Sequence, residues 1–519
     1  MEGFMVRILM SELDFDYELV ALARSFFPGQ DIKAEEVKKD STDTDTDTDT
    51  VIVNIMLSQF NVTACIVTKS FSMERKAFVT GDGDWHKHID KSAHPYRTYY
   101  KNILKKVVFM LLKDFPDNML PEGVIKCIPQ WGTMTGVRPV KIAMDNILKG
   151  SSIESIYHSL EDVYCLKKEK AELVMQIALH EAGILKKSGC ENGYSLYIGI
   201  PFCPTTCLYC SFTSYPFNMQ LADAYLEALI KEMEYSSQIF KDRKLTSIYI
   251  GGGTPVSLNP AQLKKLLSAL TKYFPVDKSS EFTVEAGRPD SITKEKLEVL
   301  SGYGAGRISV NPQTMQQKTL DIIGRKHTVK QTEDAFNMAR KTGFKNINMD
   351  LIAGLPGEDE NDFADTLSKI ENLNPDSLTI HSLVIKRASE LRNILQEQGI
   401  KDNMAKALCM ERMSDMGYEF AKKHGYRPYY MYRQKNSAGF AGSTGQENIG
   451  YAAEGKECIY NILIMEKKQS IVALGAGSVS KRVYPDGQAR RCENVKDVAL
   501  YIQKIDEIIE RKRKLLKDF

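Results

Sequence analysis

From residue 195 onward, short apolar segments alternate regularly with stretches of helical periodicity. The apolar segments are rich in Ile, Val, Leu and Tyr and are too short for helices, which predicts strands. Strands that are separated by helices run parallel in one sheet, with the helices outside. The predicted strands are 195–200, 246–250, 281–286, 307–311, 346–352 and 377–383, and the predicted helices are 220–240, 260–273, 292–301, 329–342 and 361–372. Six such units predict an α/β fold, a partial (βα)6 barrel whose mouth lies at the C-terminal strand ends.

The length of 519 residues is too great for one hydrophobic core. We therefore expect an N-terminal α+β domain at 1–185, the partial barrel at 190–385 and a C-terminal extension at 386–519. In the last of these regions the pattern predicts a helix at about 401–424 and a hairpin around 458–480.

The N-terminal region has its own sequence signals. The patterns predict a strand pair at 51–56 and 63–68, helices at 97–115 and 153–185, and a mobile acidic loop at the low-complexity run 41–50. A Gly-rich turn at 130–143 leads into a further helix, and it either holds an anion or docks this region on the next domain.

Composition excludes several classes of protein. The 69 basic and 67 acidic residues nearly balance, which argues against extensive nucleic-acid binding. The segment 425–435 interleaves tyrosines with Arg427, Arg433 and Lys435, so it could stack on an anionic macrocycle, form a single-stranded RNA platform or pack in a domain contact. Because no apolar stretch is long enough for a membrane span or a signal peptide, and the cysteines have no disulfide spacing, we expect a cytoplasmic protein.

Three cysteines, Cys203, Cys207 and Cys210, follow the first predicted strand in a C-x3-C-x2-C loop. Thiolates are the ligands of four-iron clusters, and three thiolates leave the fourth iron open to a substrate or cofactor. A zinc site would need a fourth Cys or His nearby, and the next one downstream is His327. The spacing therefore favours a [4Fe–4S] cluster over a zinc site or a redox dithiol.

Glycines and isolated polar residues mark the ends of the following strands. Tyr249–Pro255 contains Gly-Gly-Gly-Thr-Pro, which either lets the backbone approach an amino-acid headgroup or forms a structural turn. Glu285 closes the third strand, Gln313 follows the fourth and Asp350 lies on the fifth. Because polar side chains in apolar strands are costly unless paired, we expect these three to face a ligand. Arg325 either grips a carboxylate or forms a surface ion pair.

Residues 190–500 resemble the oxygen-independent coproporphyrinogen III dehydrogenases and their relatives among the radical S-adenosylmethionine (SAM) enzymes. The preceding domain, with its Gly-Val-Arg-Pro element at 136–139, resembles one bacterial branch of that group. The motifs that carry the resemblance are Tyr-Ile-x-Ile-Pro-Phe-Cys, Gly-Gly-Gly-Thr-Pro, Val-Glu at 284–285, Ser-Val-x-x-Gln at 309–313, Asp-Leu-Ile-x-Gly-Leu-Pro at 350–356 and Gly-Ala-Gly-Ser-Val at 475–479.

The resemblance implies oxidative decarboxylation of coproporphyrinogen III to protoporphyrinogen IX in porphyrin and haem biosynthesis. It also implies a [4Fe–4S] cluster, SAM, a porphyrinogen substrate and an electron donor such as a flavodoxin or ferredoxin.

The resemblance also assigns binding residues. Cys203, Cys207 and Cys210 would hold the cluster. SAM on the open iron would be contacted by Tyr197, Gly252 and Glu285. The contacts of a second SAM would be Tyr209, Gly253, Thr254, Gln313, Arg325, Asp350 and Val384, and Val479 is assigned to the cofactor contacts as well.

Two departures from the family pattern each argue against one of two functions, the dehydrogenase and the haem chaperone. The dehydrogenases have a fourth cysteine where this chain has Phe212, as the haem-chaperone relatives do. Those chaperones carry a His-Asn-x-x-Tyr-Trp element for haem, whereas this chain has Glu447-Asn-Ile-Gly-Tyr-Ala452. The alternative function is that of a haem chaperone-like protein that binds and transfers haem.

Overall fold

The described residues form two compact units. The computed structural model describes residues 4–37, 50–57, 61–78, 96–121, 124–190, 193–210, 213–239, 243–385, 389–397, 404–434, 446–484 and 488–516. One unit comprises 1–175 with 400–411 and 433–446, and the other comprises 176–399, 412–432 and 447–519. Most of the low-complexity run, together with Phe212 and Lys435, lies outside the described residues.

The first unit contains a mixed five-stranded sheet in the order β2-β1-β3-β4-β5. Strand β1 is parallel to β2 and β3, whereas β3, β4 and β5 are antiparallel. The strand pair expected at 51–56 and 63–68 is confirmed as β3 and β4, and the helix expected at 97–115 is α2. The elements are β1 (Met5–Met10), α1 (Asp16–Phe26), β2 (Asp31–Glu36), β3 (Thr50–Leu57), β4 (Asn61–Val67), β5 (Ser72–Phe78) and α2 (Tyr96–Asp114).

The single helix expected over 153–185 is wrong, because the chain breaks there. After α3 (Val140–Leu148), helix α4 (Ile153–His158) continues into a π-helical turn, and α5 (Lys168–Ser188) begins separately. Cys165 adopts a left-handed backbone conformation with φ of 56°, which a continuous helix excludes. The break packs closely on Gly132, where an added Cβ would lie 2.1 Å from the carbonyl oxygen of Tyr164.

The second unit is built on an eleven-stranded sheet in the order β14-β15-β13-β12-β11-β10-β9-β6-β16-β17-β18. A separate two-stranded pair, β7 and β8, follows the first strand. The strands are β6 (Gly193–Ile200), β7 (Phe202–Cys203), β8 (Tyr215–Pro216), β9 (Lys244–Gly252), β10 (Glu281–Gly287), β11 (Arg307–Val310), β12 (Ile347–Ala353), β13 (Ser377–Ser382), β14 (Arg427–Arg433), β15 (Glu447–Ala452), β16 (Ser470–Leu474), β17 (Val479–Val483) and β18 (Ala489–Glu493).

The six strands expected from the alternating pattern are adjacent and parallel, in the order β6-β9-β10-β11-β12-β13. Their C-terminal ends therefore meet at one edge, as expected for the mixed α/β partial barrel. Capping boxes at Asn259, Thr328 and Asp359 begin three of the intervening helices. The helices are α6 (Met219–Ile239), α7 (Pro260–Tyr273), α8 (Lys294–Gly302), α9 (Gln317–Ile322), α10 (Val329–Thr342) and α11 (Glu360–Leu373).

The C-terminal part of the chain extends the sheet on both sides. Strand β16 adds to β6 in parallel, and β15 adds to β13 in antiparallel orientation. The hairpin expected at 458–480 is wrong in its first half, which is helix α14. The antiparallel turn instead joins β16 to β17. The helices here are α12 (Glu390–Glu397), α13 (Met404–Lys423), α14 (Ile459–Glu466), α15 (Val498–Gln503) and α16 (Ile505–Leu516). Within the described residues, every helix is too short or too polar to cross a lipid bilayer.

Candidate functional site

The three-cysteine loop leaves β6 at the edge where the parallel strands end. Strand β7 pairs with β8, which anchors the start of the loop at Phe202 and Cys203. The middle of the loop is tied down by Leu208, whose N–H donates to the carbonyl of Ile323 at 3.2 Å. The loop conformation is therefore set by backbone contacts on both sides of Cys207.

The Gly-Gly-Gly-Thr segment lies directly against the first cysteine. The N–H of Gly253 donates to the carbonyl of Ile200, and the N–H of Thr254 to that of Phe202, both at 2.7 Å. The hydroxyl of Thr254 is 3.5 Å from the Cys203 sulfur. A Cβ added to Gly253 would lie 3.0 Å from that sulfur and 2.6 Å from the Phe202 carbonyl oxygen. The close approach requires glycine, which settles why the segment lacks side chains there.

Glu285 lies near the end of β10, next to the same glycines. Its carboxylate accepts hydrogen bonds from the Tyr249 hydroxyl and from the backbone N–H of Gly252. Burial, and to a lesser degree the negative charge of Asp350, outweigh these contacts and raise the pKa of Glu285 to about 7. The side chain is thus a poorly neutralised acid beside an exposed glycine with φ of 111°, an arrangement suited to a cationic amino group.

Three tyrosines stack behind this carboxylate. Tyr197 and Tyr249 are register partners on neighbouring strands, with ring centroids 6.2 Å apart. Tyr460, at the start of α14, stacks on both at 6.2 and 4.6 Å. The three rings thus form an aromatic cluster in contact with Glu285.

Gln313 and Asp350 are held together by the backbone. The N–H of Gln313 donates to the carbonyl of Asp350 at 3.0 Å, and the N–H of Ile352 donates back to Gln313 at 2.9 Å. Gln313 has a left-handed backbone with φ of 70°, and its buried Oε1 makes no hydrogen bond within the described residues. Strain of this kind costs about 1 kcal/mol or more and is concentrated at functional sites.

His381 and Asn448 extend this polar group along the inner face of the sheet. The Nδ1 atom of His381 is 3.0 Å from Oδ1 of Asn448, and its Nε2 atom is 3.9 Å from Oδ2 of Asp350. The Nδ2 atom of Asn348 donates to the other Asp350 oxygen at 2.7 Å. Asp350 thus has a directed amide on one side and an imidazole within ion-pair distance on the other.

Arg325 is buried, and it contacts the cysteine loop rather than a surface acid. Its Nε and Nη2 atoms donate to the Tyr209 hydroxyl at 3.3 and 3.1 Å, and Nη1 donates to the carbonyl of Asn311 at 3.1 Å. Two of the seven residues predicted to contact a second SAM, Tyr209 and Arg325, are therefore in direct contact with each other.

The remaining predicted residues lie at the same edge of the sheet. Val384 is buried just after β13, and Val479 is 39% exposed at the start of β17. In the aromatic-cationic segment, Arg427 is exposed, whereas the guanidinium of Arg433 lies 4.9 Å from the centre of the Trp131 ring. For Arg433 the contact is thus one of packing.

The sequence reasoning missed Tyr249, Arg288 and His381. Tyr249 could have been found from its position beside Tyr197 in the predicted sheet, where both face the same side. Arg288 was signalled by its place between Gly287 and Pro289, directly after the strand that ends in Glu285. His381 had no such signal, because its partner Asn448 comes from a distant strand.

The residues present fit a cluster and SAM. Three cysteines that form no disulfide lie in one loop, and the Gly253 contact leaves no room for a side chain beside Cys203. Glu285, whose pKa is raised, and the buried Oε1 atom of Gln313, which has no hydrogen-bond partner among the described residues, lie at the C-terminal edge of the sheet. A ligand bound there can supply partners to both. Among the residues that the structure describes, no three His, Cys, Asp or Glu side chains converge to hold a single metal ion. A cluster instead takes each thiolate on a different iron.

Comparison with known proteins defines the class of this unit. Residues 197–370 match the radical SAM superfamily. The match includes the cysteine loop, the glycine segment, Glu285 and Asp350. A [4Fe–4S] cluster and SAM are the cofactors of this superfamily, which confirms the cluster expected from the cysteine spacing and the SAM implied by the family resemblance.

Individual relatives narrow the class. The chain is 40% identical to the oxygen-independent coproporphyrinogen-III oxidase-like protein HemZ of Bacillus subtilis over 395 residues, 75% of this chain and 77% of that protein. It is 38% identical to the heme chaperone HemW of B. subtilis over 39% of this chain and 54% of that protein. It is 34% identical to the oxygen-independent coproporphyrinogen III oxidase of Salmonella typhimurium over 37% of this chain and 42% of that protein.

The chain belongs to the oxygen-independent coproporphyrinogen-III oxidase-like family of radical SAM proteins. The matches to the chaperone and to the Salmonella oxidase span only about half the length of those two proteins.

Proposed function

We propose that this protein catalyses the oxygen-independent oxidative decarboxylation of coproporphyrinogen III to protoporphyrinogen IX. In this reaction each of two propionate groups becomes a vinyl group, with loss of carbon dioxide, one hydrogen atom and one electron. The hydrogen lies on a carbon that an ordinary base cannot deprotonate. When bound, the cluster and SAM supply a carbon radical able to remove such a hydrogen atom.

The cofactor contacts follow from the site. Cys203, Cys207 and Cys210 are assigned to the cluster because they share the only loop with this spacing in the sequence. Glu285 is assigned to the amino group of SAM, since a buried carboxylate with few neutralising partners gains most from a cation. Gly252 and Gly253 have no side chains, so a ligand can approach their backbone next to Glu285.

The substrate side is assigned to the inner face of the sheet. The half-buried ring of Tyr249 offers an aromatic surface for a tetrapyrrole and His381 offers a polar contact, while Tyr197 and Asp350 keep the SAM contacts that the resemblance implies. The guanidinium of Arg325 donates its hydrogen bonds to Tyr209 and Asn311, so we assign Arg325 to positioning the cysteine loop. A small redox protein such as a flavodoxin or ferredoxin would deliver electrons, and the ten cysteines, which have no disulfide spacing, favour the reducing cytoplasm as the compartment.

One observation favours the enzyme over the haem chaperone. The segment 447–452, which corresponds to the chaperones' haem-binding element, forms the fully buried strand β15. Glu447 stands in the position of the chaperones' histidine, and the Asn448 side chain is engaged with His381. Axial haem ligation from this segment would require both a different residue and an exposed strand.

The direct test is anaerobic product analysis. The reconstituted protein would be incubated with coproporphyrinogen III, SAM and a reductant, and the products would be oxidised to porphyrins and separated by chromatography with mass detection. We expect protoporphyrin, accompanied by 5′-deoxyadenosine. Cys207→Ala should abolish both products, whereas Cys492→Ala, a half-buried cysteine on β18, should retain them.

The alternative gives a different outcome in the same experiment. Stoichiometric haem binding by the wild-type protein, with SAM cleavage but no vinyl product, would refute the decarboxylation and establish the chaperone function. Zinc in place of iron and sulfide after reconstitution would refute both.

A further inference from the structure

The guanidinium of Arg288 lies between Asp290 and the cysteine loop. The residue follows β10 and is 3% exposed. Its Nε and Nη2 atoms donate to the two carboxylate oxygens of Asp290 at 3.0 and 2.6 Å. This bidentate pair fixes the plane of the guanidinium, because both donors of one edge are used.

The opposite edge of the same guanidinium reaches the loop. Nη1 donates to the Thr205 carbonyl at 3.2 Å and to the Thr205 hydroxyl at 2.9 Å, and it lies 3.6 Å from the Cys207 sulfur. A single nitrogen thus contacts the loop backbone and the thiol of the central cysteine. Asp290 holds the other edge and keeps Nη1 from turning away.

The pair is charged in this environment. Burial raises the pKa of Asp290, but the hydrogen bonds and positive charge of Arg288 lower it further, so that the net pKa lies below the ordinary value. The Arg288 side chain is buried and that of Asp290 is 18% exposed, and burying the guanidinium offsets much of the attraction, so the pair stabilises the fold only weakly. Because the Arg288–Asp290 pair lies against Cys207, we look for its role at the cysteine loop rather than in fold stability.

We propose that Arg288 is a positioning residue that orients Cys207 and donates an N–H···S hydrogen bond to its thiolate, and thereby raises the reduction potential of the cluster. The proposal rests on the assignment of Cys207 to the cluster. Hydrogen bonds to cluster sulfurs stabilise the more negatively charged, reduced state, and they are one of the means by which proteins set cluster potentials. With a cluster bound, the contact would ease its reduction by the electron donor.

The test compares two substitutions at Arg288 with a matched control. Arg288→Gln removes the positive charge and the paired N–H donors of the guanidinium. Arg288→Lys keeps the charge but cannot hydrogen-bond to Asp290 and to the loop at the same time. Arg340→Gln is the control, because Arg340 also binds an aspartate, Asp376, and a backbone carbonyl, but at the N-terminal ends of the strands. Iron and sulfide content would be measured after anaerobic reconstitution, and the midpoint potential by redox titration followed by electron paramagnetic resonance.

We expect all three variants to load a cluster. The midpoint potential should become more negative in Arg288→Gln, less so in Arg288→Lys, and stay unchanged in Arg340→Gln. SAM cleavage by Arg288→Gln should fall more with a weak reductant than with a strong one. A loaded Arg288 variant with the wild-type potential would overturn the proposal. Failure of both Arg288 variants to load would also overturn it, since Arg288 would then serve folding alone.

Failure of the cluster assignment itself would be recognised separately. Retention of a complete cluster by Cys207→Ala would remove the premise, whatever the Arg288 variants do.

Discussion

Replacing Glu285 by glutamine should stabilise the fold and impair the site at the same time. The pKa of this carboxyl is raised from 4.5 to about 7, chiefly by burial. Between these two pH values the folded protein keeps the proton and the unfolded chain loses it, so stability falls as pH rises through this range. The resulting loss in the free energy of unfolding amounts to about 3 kcal/mol, and it remains in full above pH 7. Glu285→Gln removes this cost while preserving an oxygen that can accept from Tyr249.

Urea denaturation of the SAM-free protein at two pH values measures the effect. The stabilisation by Glu285→Gln should be below about 1 kcal/mol at pH 5 and reach about 3 kcal/mol at pH 8. Glu227→Gln is the control, because its side chain is 69% exposed and paired only with Lys265 at the surface, so a change within about 0.5 kcal/mol is expected at both pH values. Destabilisation by Glu285→Gln at pH 8, or a gain independent of pH, would refute the reasoning.

The functional half of this prediction uses the same variant. Glu285→Gln should load a normal cluster but bind SAM more weakly and lose most of its 5′-deoxyadenosine formation, because the amino group loses its carboxylate. Unchanged cleavage would remove Glu285 from the cofactor site.

Three further outcomes follow from buried groups. His327 is fully buried, and burial, with the nearby charge of Arg325, lowers its pKa from 6.5 to about 3, so stability should fall below pH 6.5. His327→Leu should therefore remove about 2 kcal/mol of the stability lost between pH 7 and 5, measured by urea denaturation. Lys512→Met leaves the buried Glu232 carboxylate without its cation and should cost about 3–5 kcal/mol, with partial recovery when Glu232→Gln is added. Gly253→Ala should abolish cluster loading, measured as bound iron and sulfide, because its Cβ would crowd the adjacent cysteine; normal loading would contradict that geometry.

The parallel core could be predicted because its signals are local. The six core strands β6 and β9 to β13 are short apolar runs, and three of the helices between them begin at capping boxes, at Asn259, Thr328 and Asp359. The segment 459–466 could not be assigned in this way. Its run of apolar residues suits a buried strand or a buried helix equally well, and only packing against β9 decides between them.

The contacts within the site depend on register, which the sequence does not display. Tyr249 is the register partner of Thr283, yet its hydroxyl reaches Glu285, two residues further along β10. Arg288 reaches Cys207 only because the ends of β6 and β10 meet at one edge of the sheet. The cysteines could thus be identified from spacing alone, whereas the residues that orient them required the folded arrangement.

The position of β6 has a consequence for biosynthesis. The cysteine strand lies between β9, which follows closely in the chain, and β16, which begins only at Ser470. During translation the nascent chain therefore exposes the cysteine loop long before the second neighbour of its strand exists. Lys512, which bonds the β16 carbonyl of Ala473, is made later still. Cluster insertion is accordingly expected after release from the ribosome, and chains that stop before β16 should accumulate as iron-free protein with an open sheet edge.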